Sequence, residues 1–256
     1  MGDPRVSIIT SLYRGDNHIE GFLENITAQT YFDKCELVIV DGASPGNEYE
    51  TIQQFQDKYD NIKHHRLEDD PGIYGCWNYA IERSSGEYLT NANLDDSRAH
   101  NQIERFVQEL DKYQEIDLVY GYTFVTEKDH EDFYHNSSGY STYPTFSFSR
   151  EAMIKCLPGC QPVWRRSIHQ KVGFFDEEYR FAGDWEMWLR AVRSGCRFRM
   201  VEGVYGLYYH NPSGLSTDSG KQVQRFAEEK KVFWEYTDVF GPNTTNMYRE
   251  YFSRSL

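Results

Sequence analysis

The first hundred residues alternate between two hydrophobic periods, and that alternation leaves the chain few architectures. "RVSIITSLY", "CELVIVDGAS", "IKHHRLE" and "EYLTNAN" are short, apolar or β-branched runs of strand length. Between them, "HIEGFLENITAQTY" spaces Ile19, Phe22, Leu23 and Ile26 at i, i+3, i+4 and i+7, the mark of a helix. "NEYETIQQFQDKY" places Tyr49, Ile52, Phe55 and Tyr59 on one helical face, and "GIYGCWNYAIERSSG" reads as a helix that stops at Gly86. Strand and helix in turn imply βαβ units, hence a mixed, mostly parallel central sheet with helices on both faces. At 256 residues the chain fits one large α/β domain or two closely packed halves.

In such a sheet ligands bind beyond the carboxyl ends of the strands. Ser11 and Tyr13 follow the first strand, Asp41 closes the second, Asp70 lies just past the third, and Asp95 with Asp96 end the fourth. All of them are expected on one edge. One acid at a strand end is unremarkable, because Asp caps helices and starts turns. Four successive strand ends carrying Ser/Tyr, Asp, Asp and Asp-Asp exceed what capping needs.

The adjacent acids in "TNANLDDSRAH" pose the sharpest question. Like charges side by side repel, and each loses hydration if the turn is buried. Either the pair sits in water and caps "NQIERFVQEL", or it holds a cation. Carboxylate oxygens are hard ligands that suit Mg²⁺ or Mn²⁺, and such an ion completes its shell with water and substrate phosphate. No G-x-x-x-x-G-K-[ST] loop and no G-x-G-x-x-G after the first strand offers a phosphate cradle instead.

The second half is less regular. "IDLVYGYTFVTE" and "RFRMVEGVYGLYYH" read as strands, and the polar, aromatic 128–150 stretch as an irregular loop near the cleft. Residues 159–195 read as two helical pieces joined by a Gly turn. The tail reads as one amphipathic helix with Val223, Phe226, Lys230, Phe233 and Trp234 in register. A net charge of −13 opposes nucleic acid and anionic membranes, so no nucleic-acid partner is expected. Five cysteines without metal-site spacing fit reduced thiols in a cytoplasmic protein. No apolar run reaches the ~20 residues of a spanning helix, and the N-terminus lacks a signal-peptide core.

Six stretches, in order, carry a family resemblance: "VSIITSLYRGD", "ELVIVDGAS", "EDDPGIYGCWNYAI", "NLDD", "RRSIHQKVGFFDE" and "GDWEMWLR". Together they resemble glycosyltransferase family 2, inverting enzymes of the Rossmann-like GT-A fold, from about Val6 to His210. The resemblance implies one GT-A domain over residues 1–210, with 1–98 the nucleotide-sugar-binding half and 99–210 the acceptor-binding and catalytic half. Residues 211–256 would form a C-terminal helical extension. It implies a sugar moved from a nucleotide-diphosphate donor (UDP-sugar favoured, GDP- or dTDP-sugar the other choices) to a saccharide or glycolipid hydroxyl. Glycan biosynthesis is the expected setting.

Residue by residue, the resemblance gives Ser11, Tyr13 and Asp41 to the base, and Asp70 and Asn78 to the segment over the nucleotide. Asp96 becomes the ligand for Mn²⁺ or Mg²⁺, Asp95 a contact to ribose or to the metal's water shell, and His210 a residue reaching metal or diphosphate. Asp184, in "GDWEMWLR", becomes the catalytic base. The chain departs from the family where Gly42 and Gly183 stand in place of acids. Gln161 and Trp185 are candidates to meet the acceptor, and Arg165 or Arg166 to meet anionic groups. Glu186 is expected to pair with Arg190 on the helix surface. The tail's Lys230 and Lys231 beside Phe233 and Trp234 suit a peripheral membrane contact, a second subunit or plain packing. Two other readings compete: a nucleotidyltransferase, which needs a Gly-rich basic turn after its first strand, and a non-catalytic nucleotide-sugar binder, which has no use for Asp184.

Overall fold

The computed structural model describes residues 2–137 and 145–254, so the 138–144 part of the expected cleft loop lies outside the described residues. The expected alternation is present. Strands β1 (Val6–Leu12), β2 (Cys35–Asp41), β3 (Ile62–Arg66) and β4 (Tyr88–Asn91) alternate with helices α1 (Ile19–Thr27), α2 (Glu48–Gln56) and α3 (Gly72–Glu82). Next come β5 (Ser97–Arg98), α4 (Gln102–Lys112), β6 (Leu118–Thr126), β7 (Val163–Arg165), α5 (Ser167–Val172), α6 (Gly183–Arg193) and β8 (Phe198–Tyr209). Two tail helices follow, α7 (Gln222–Glu235) and α8 (Thr237–Ser253).

All eight strands form one sheet in the order β3-β2-β1-β4-β7-β6-β8-β5. Strands β3, β2, β1 and β4 pair in parallel, as do β6 and β8. Strands β7 and β5 run against their neighbours. Period-two alternation explains the two covered faces. In β2, Leu37 and Ile39 join a core with α1, α2 and α4, whereas Val38 and Val40 join the core beneath α3, α5, α6 and the tail helices. Asp41 and Asn91 end neighbouring parallel strands with β1 between them, so the sheet brings the residues after them to one edge.

Three expectations are corrected. "VWR" of 163–165 is an antiparallel strand at the sheet centre instead of helix, because Val163 and Trp164 are wholly buried against β4 and β6. The tail is two helices, the second interrupted at Gly241 (φ 76°) ahead of Pro242, where the ring's clash and missing N–H stop α-geometry. Phe226 and Phe233 are buried, but Val223 and Trp234 are exposed; Lys231 lies over the Tyr179 ring and Lys230 donates to the Arg254 carbonyl. No helix among the described residues is long and apolar enough to cross a membrane.

Tail and domain are joined by polar bonds as well as by the aromatic stack of Phe233, Phe240 and Phe252. Glu228 of α7 accepts from the backbone N–H groups of Arg180 (2.9 Å), Phe181 (2.7 Å) and Ala182 (3.0 Å), capping α6 from another element. Glu186 does pair with Arg190, but inside the protein: its Oε1 also accepts the Tyr236 hydroxyl at 2.5 Å.

At the centre, Trp164 donates its indole N–H to Nε2 of buried His169 at 3.0 Å, while Nδ1 of that ring sits 3.0 Å from the Gly173 carbonyl. The ring is therefore neutral with its proton on Nδ1, and burial pushes its pKa down to about 4. Between about pH 6.5 and 4 the unfolded chain takes up a proton that folded His169 refuses, so stability falls as pH drops through that window. The expected loss is roughly 3 kcal/mol. Urea midpoints measured from pH 7 to pH 4 should fall less steeply in His169→Gln than in the parent chain; equal slopes would remove His169 from the acid response.

Candidate active site

Two turns at the sheet edge are locked by a carboxylate buried beneath them. Glu48, in the first turn of α2, accepts the Gly15 N–H (2.6 Å) and the Ser44 hydroxyl (2.6 Å) at one oxygen, and Ser44 Oγ accepts the Arg14 N–H (2.8 Å). Both turns need this anchor, since Arg14 (φ 53°) and Ala43 (φ 57°) hold left-handed backbone that costs non-glycine residues about 1 kcal/mol or more. The network presents Ser11 half-buried and Tyr13 exposed beyond β1. Asp41 is buried at the end of β2, with Oδ1 on the Ser44 N–H (2.7 Å) and Oδ2 on Arg66 (2.5 Å). Asp70 accepts the Gly72 N–H at 2.9 Å and leans over Gly42. A Cβ on residue 42 would lie 2.7 Å from Asp70 Oδ1, so a side chain at 42 would displace the exposed Asp70 carboxylate from its present position.

The acid pair lies in the turn between β4 and β5. Asp96 is buried; Oδ2 accepts Asn93 Nδ2 (2.9 Å) and Oδ1 the Tyr209 N–H (3.1 Å). Half-buried Asp95 accepts Asn211 Nδ2 at 3.3 Å. Helix capping is excluded, since α4 starts only at Gln102 with Asn101 at its cap. Burial first, and the Asp95 charge second, push the Asp96 carboxyl up to about 8. Arg98 is buried nearby, but donates to Thr90 Oγ1 (3.3 Å) and the Asn91 carbonyl (2.8 Å), not to either acid. Two adjacent carboxylates with only neutral hydrogen-bond donors on them fit a hard divalent cation. His210 follows Tyr209 with its side chain exposed and its N–H on the Thr126 carbonyl at 2.8 Å.

Asp184 stands in the first turn of α6, behind Ala182 at the cap. Its Oδ1 accepts the Trp185 N–H (2.8 Å) and lies 3.3 Å from the Tyr74 hydroxyl, which is shared with the Phe181 carbonyl. Its Oδ2 has the Cys156 thiol at 3.7 Å. Burial raises its pKa. Residue 183 has no room for a side chain: a Cβ there would sit 2.6 Å from the Tyr74 ring. The 156–160 segment runs between β4 and Asp184: its Cys156 thiol lies 3.7 Å from Asp184 Oδ2, and burial, then the charges of Asp96, Asp184 and Asp95, hold the Cys160 thiol well above the usual range. Asn91 Nδ2 fixes that segment by donating to the Cys160 carbonyl at 2.8 Å.

Other sequence candidates have different tasks. Asn78 spends its amide on Phe175 (2.9 Å to O, 3.0 Å from N) and Glu177 (2.8 Å), tying α3 to the 173–177 turn instead of facing a nucleotide. Gln161 is buried and donates to the Ser97 carbonyl at 3.0 Å. Trp185 is buried under Phe240, its indole N–H on the Met153 carbonyl at 2.8 Å. Arg165 and Arg166 are occupied with backbone carbonyls of α4 and α3 and of the turns that follow them. Tyr74, Cys160, Asn93, Asn211 and Glu48 escaped sequence reasoning; the position of Tyr74 one helical turn after Asp70 was the one available signal. Hollows along α3, lined by Leu67, Pro71 and Glu177 or by Ser84, Arg166 and His169, include none of the three acids.

The family model for glycosyl transferase family 2 matches residues 7–173, well over half of the chain and all of the strand-end edge. The chain belongs to glycosyltransferase family 2. It is 26% identical over 200 residues to the uncharacterized glycosyltransferase RT0329 of Rickettsia typhi, covering 74% of this chain and 59% of that protein. The fold is that of S. aureus TarS in complex with UDP-GlcNAc (TM-score 0.76, 15% identity, 98% of this chain and 73% of that one). It is also that of the mannosyltransferase PcManGT of Pyrobaculum calidifontis in complex with GDP-Man and Mn²⁺ (TM-score 0.69, 20% identity, 95% and 67%). Both glycines that depart from the family's acidic pattern are thus filled from a neighbouring element. For Gly183→Ala we expect a loss of about 1–3 kcal/mol in urea unfolding, because the new methyl overpacks the Tyr74 ring. Tyr74→Leu should recover part of it in a double-mutant cycle, and strict additivity of the two changes would refute the steric account.

Proposed function

We propose that the chain transfers a glycosyl group, with inversion, from a nucleotide-diphosphate sugar to a saccharide or glycolipid hydroxyl. UDP-sugars are the first choice of donor. The observation that carries this reading is an acid pair held by neutral donors at the carboxyl edge of a parallel sheet, with half-buried Asp184 on the far side of the 156–160 segment that β4 holds.

Asp184 takes the proton from the attacking hydroxyl. Burial makes it a better base than an exposed aspartate. The Trp185 N–H and the Tyr74 hydroxyl engage Oδ1, which leaves Oδ2, beside the weak Cys156 donor, as the oxygen that receives the proton. One displacement by one activated hydroxyl inverts the anomeric centre. Asp95 and Asp96 would hold Mn²⁺ or Mg²⁺, which when bound supplies positive charge to the departing diphosphate. Ser11, Tyr13 and Asp70 line the edge on which the nucleotide would rest, and Asp41 fixes the turn beneath it. His210 stands next to the residue whose N–H holds Asp96. A cytoplasmic location is supported by five free cysteines, three of them buried.

The test is a thermal-shift panel of UDP-, GDP- and dTDP-sugars with and without Mn²⁺, since a ligand that binds only the folded state raises apparent stability. One nucleotide class should stabilise the chain in a Mn²⁺-dependent way, and Asp96→Asn should abolish that dependence. Asp184→Asn should keep the shift but slow release of nucleoside diphosphate in the presence of acceptor by roughly 10²–10⁴-fold. Stabilisation indifferent to Mn²⁺ would sink the cation reading. Undiminished turnover by Asp184→Asn would remove that residue from the chemistry.

A further inference from the structure

A second group of ligand-type side chains lies at the lip of this edge, outside the acid pair. His18 precedes α1, and Asp129 with His130 sits in the turn after β6, more than a hundred residues away in sequence. One nitrogen from each histidine and one Asp129 oxygen all lie within 4.8 Å of one another. His18 Nδ1 is 3.6 Å from Asp129 Oδ1, and His130 Nε2 is 3.6 Å from Asp129 Oδ2. The two imidazoles are stacked with centroids 5.2 Å apart.

We propose that His18, Asp129 and His130 form a three-ligand site for Zn²⁺, with solvent completing the coordination. Two imidazole nitrogens and one carboxylate are a borderline donor set, which suits zinc, whereas the all-oxygen acid pair suits Mg²⁺ or Mn²⁺. At zinc–ligand distances of about 2.0–2.1 Å, tetrahedral ligands stand about 3.3–3.4 Å apart. Each ring stands within a few tenths of an ångström of that edge from a different oxygen of Asp129, so one carboxylate oxygen meets one ring as it stands and the other ring after rotation of His130 and Asp129, both exposed.

A second, independent observation is the backbone. His130 holds φ at 60°, uncommon for a residue with a side chain, and its N–H is fixed on Asp129 Oδ1 at 2.9 Å. That conformation turns the two consecutive side chains toward the same point beside His18. The rest of the turn is already tied elsewhere: Glu131 bonds Thr126 and Ser137, and the Tyr134 hydroxyl accepts the His100 N–H at 3.0 Å. Among the described residues, the end of the turn facing α1 meets it through the His18–Asp129 ion pair and the stacked imidazoles, and a bound ion would join the two through the same three side chains. The His18 ring lies 6.5 Å from the ring of Tyr209, whose N–H holds Asp96, so the clamp would border the proposed donor edge without sharing a ligand with it. The proposal does not depend on the transfer reaction.

The experiment uses the full chain stripped with EDTA and dialysed, then titrated separately with ZnCl₂ and MnCl₂ by calorimetry, with thermal shift in parallel and CoCl₂ as a spectroscopic probe. The parent chain and Asp96→Asn should each bind one Zn²⁺ with equal affinity and show the intense visible band of cobalt in a low-coordinate nitrogen-containing site. His130→Gln, at an exposed position, should weaken Zn²⁺ at least tenfold and lose the band. His18→Gln should do the same, with circular dichroism verifying its fold. No Zn²⁺ binding by the parent chain, binding unaffected by His130→Gln, or binding lost with Asp96→Asn would each overturn the assignment.

Discussion

Two adjacent acids, one buried and one half-buried, govern the geometry of this protein's edge. Asp96 is buried beside Asp95, and both are held by neutral donors, Asn93, the Tyr209 N–H and Asn211, although a buried guanidinium is near at hand. Arg98 moderates the field from below, but its hydrogen bonds go to β4. The arrangement is costly for a bare chain, which either takes up a proton or binds a cation. Everything around it serves to hold that unfavourable pair still. Strand β8 lends a backbone N–H, the turn after it lends Asn211, and β4 lends the Asn91 amide that fixes the Cys160 segment above.

The same economy of space explains the two glycines that depart from the family's acidic pattern. At each position the space a side chain would need is taken by a neighbour: Asp70 leans over Gly42, and the Tyr74 ring covers Gly183. These two neighbours stand about one helical turn apart around the start of α3. One stretch of chain therefore occupies the space beside both glycines. Sequence motifs record residues at positions, whereas a site needs groups at points in space, and one group can arrive by more than one route.

How far this was legible follows from which interactions are local. The strands and helices of the first hundred residues were readable because hydrophobic period and burial coincide there, as in β2, whose alternate residues feed opposite cores. The acids at the strand ends were readable because a parallel sheet brings its carboxyl ends together. Strand β7 was not, since three residues carry too little period to compete with flanking helices, and its identity comes from pairing with β4 and β6. The internal partners of Asn78, Gln161 and Trp185 were not legible for a related reason. A polar or amphipathic side chain near a motif looks available in sequence, and only the fold shows that its hydrogen bonds are already made to Phe175, Ser97 and Met153.

The tail shows why a part outside the matched family region matters to the site. The cap residue of α6, Ala182, has no side chain to cap with, and three N–H groups leading into the helix point at Glu228 of α7. A carboxylate there suits the positive end of the helix. It also fixes the segment one residue ahead of Gly183 and two ahead of Asp184, so the position of the proposed base is set by a helix that lies beyond it in sequence. Neighbouring Glu229 is half-buried, and its pKa is raised by burial with the Asp184 charge contributing, so the field of α7 and that of the base overlap. The proton affinity of Asp184 itself is raised by burial and held in check by the donors on it, the Trp185 N–H, the Tyr74 hydroxyl and the Cys156 thiol. What α7 contributes is position: by holding the three N–H groups ahead of α6, Glu228 fixes where the first turn, and with it Asp184, stands.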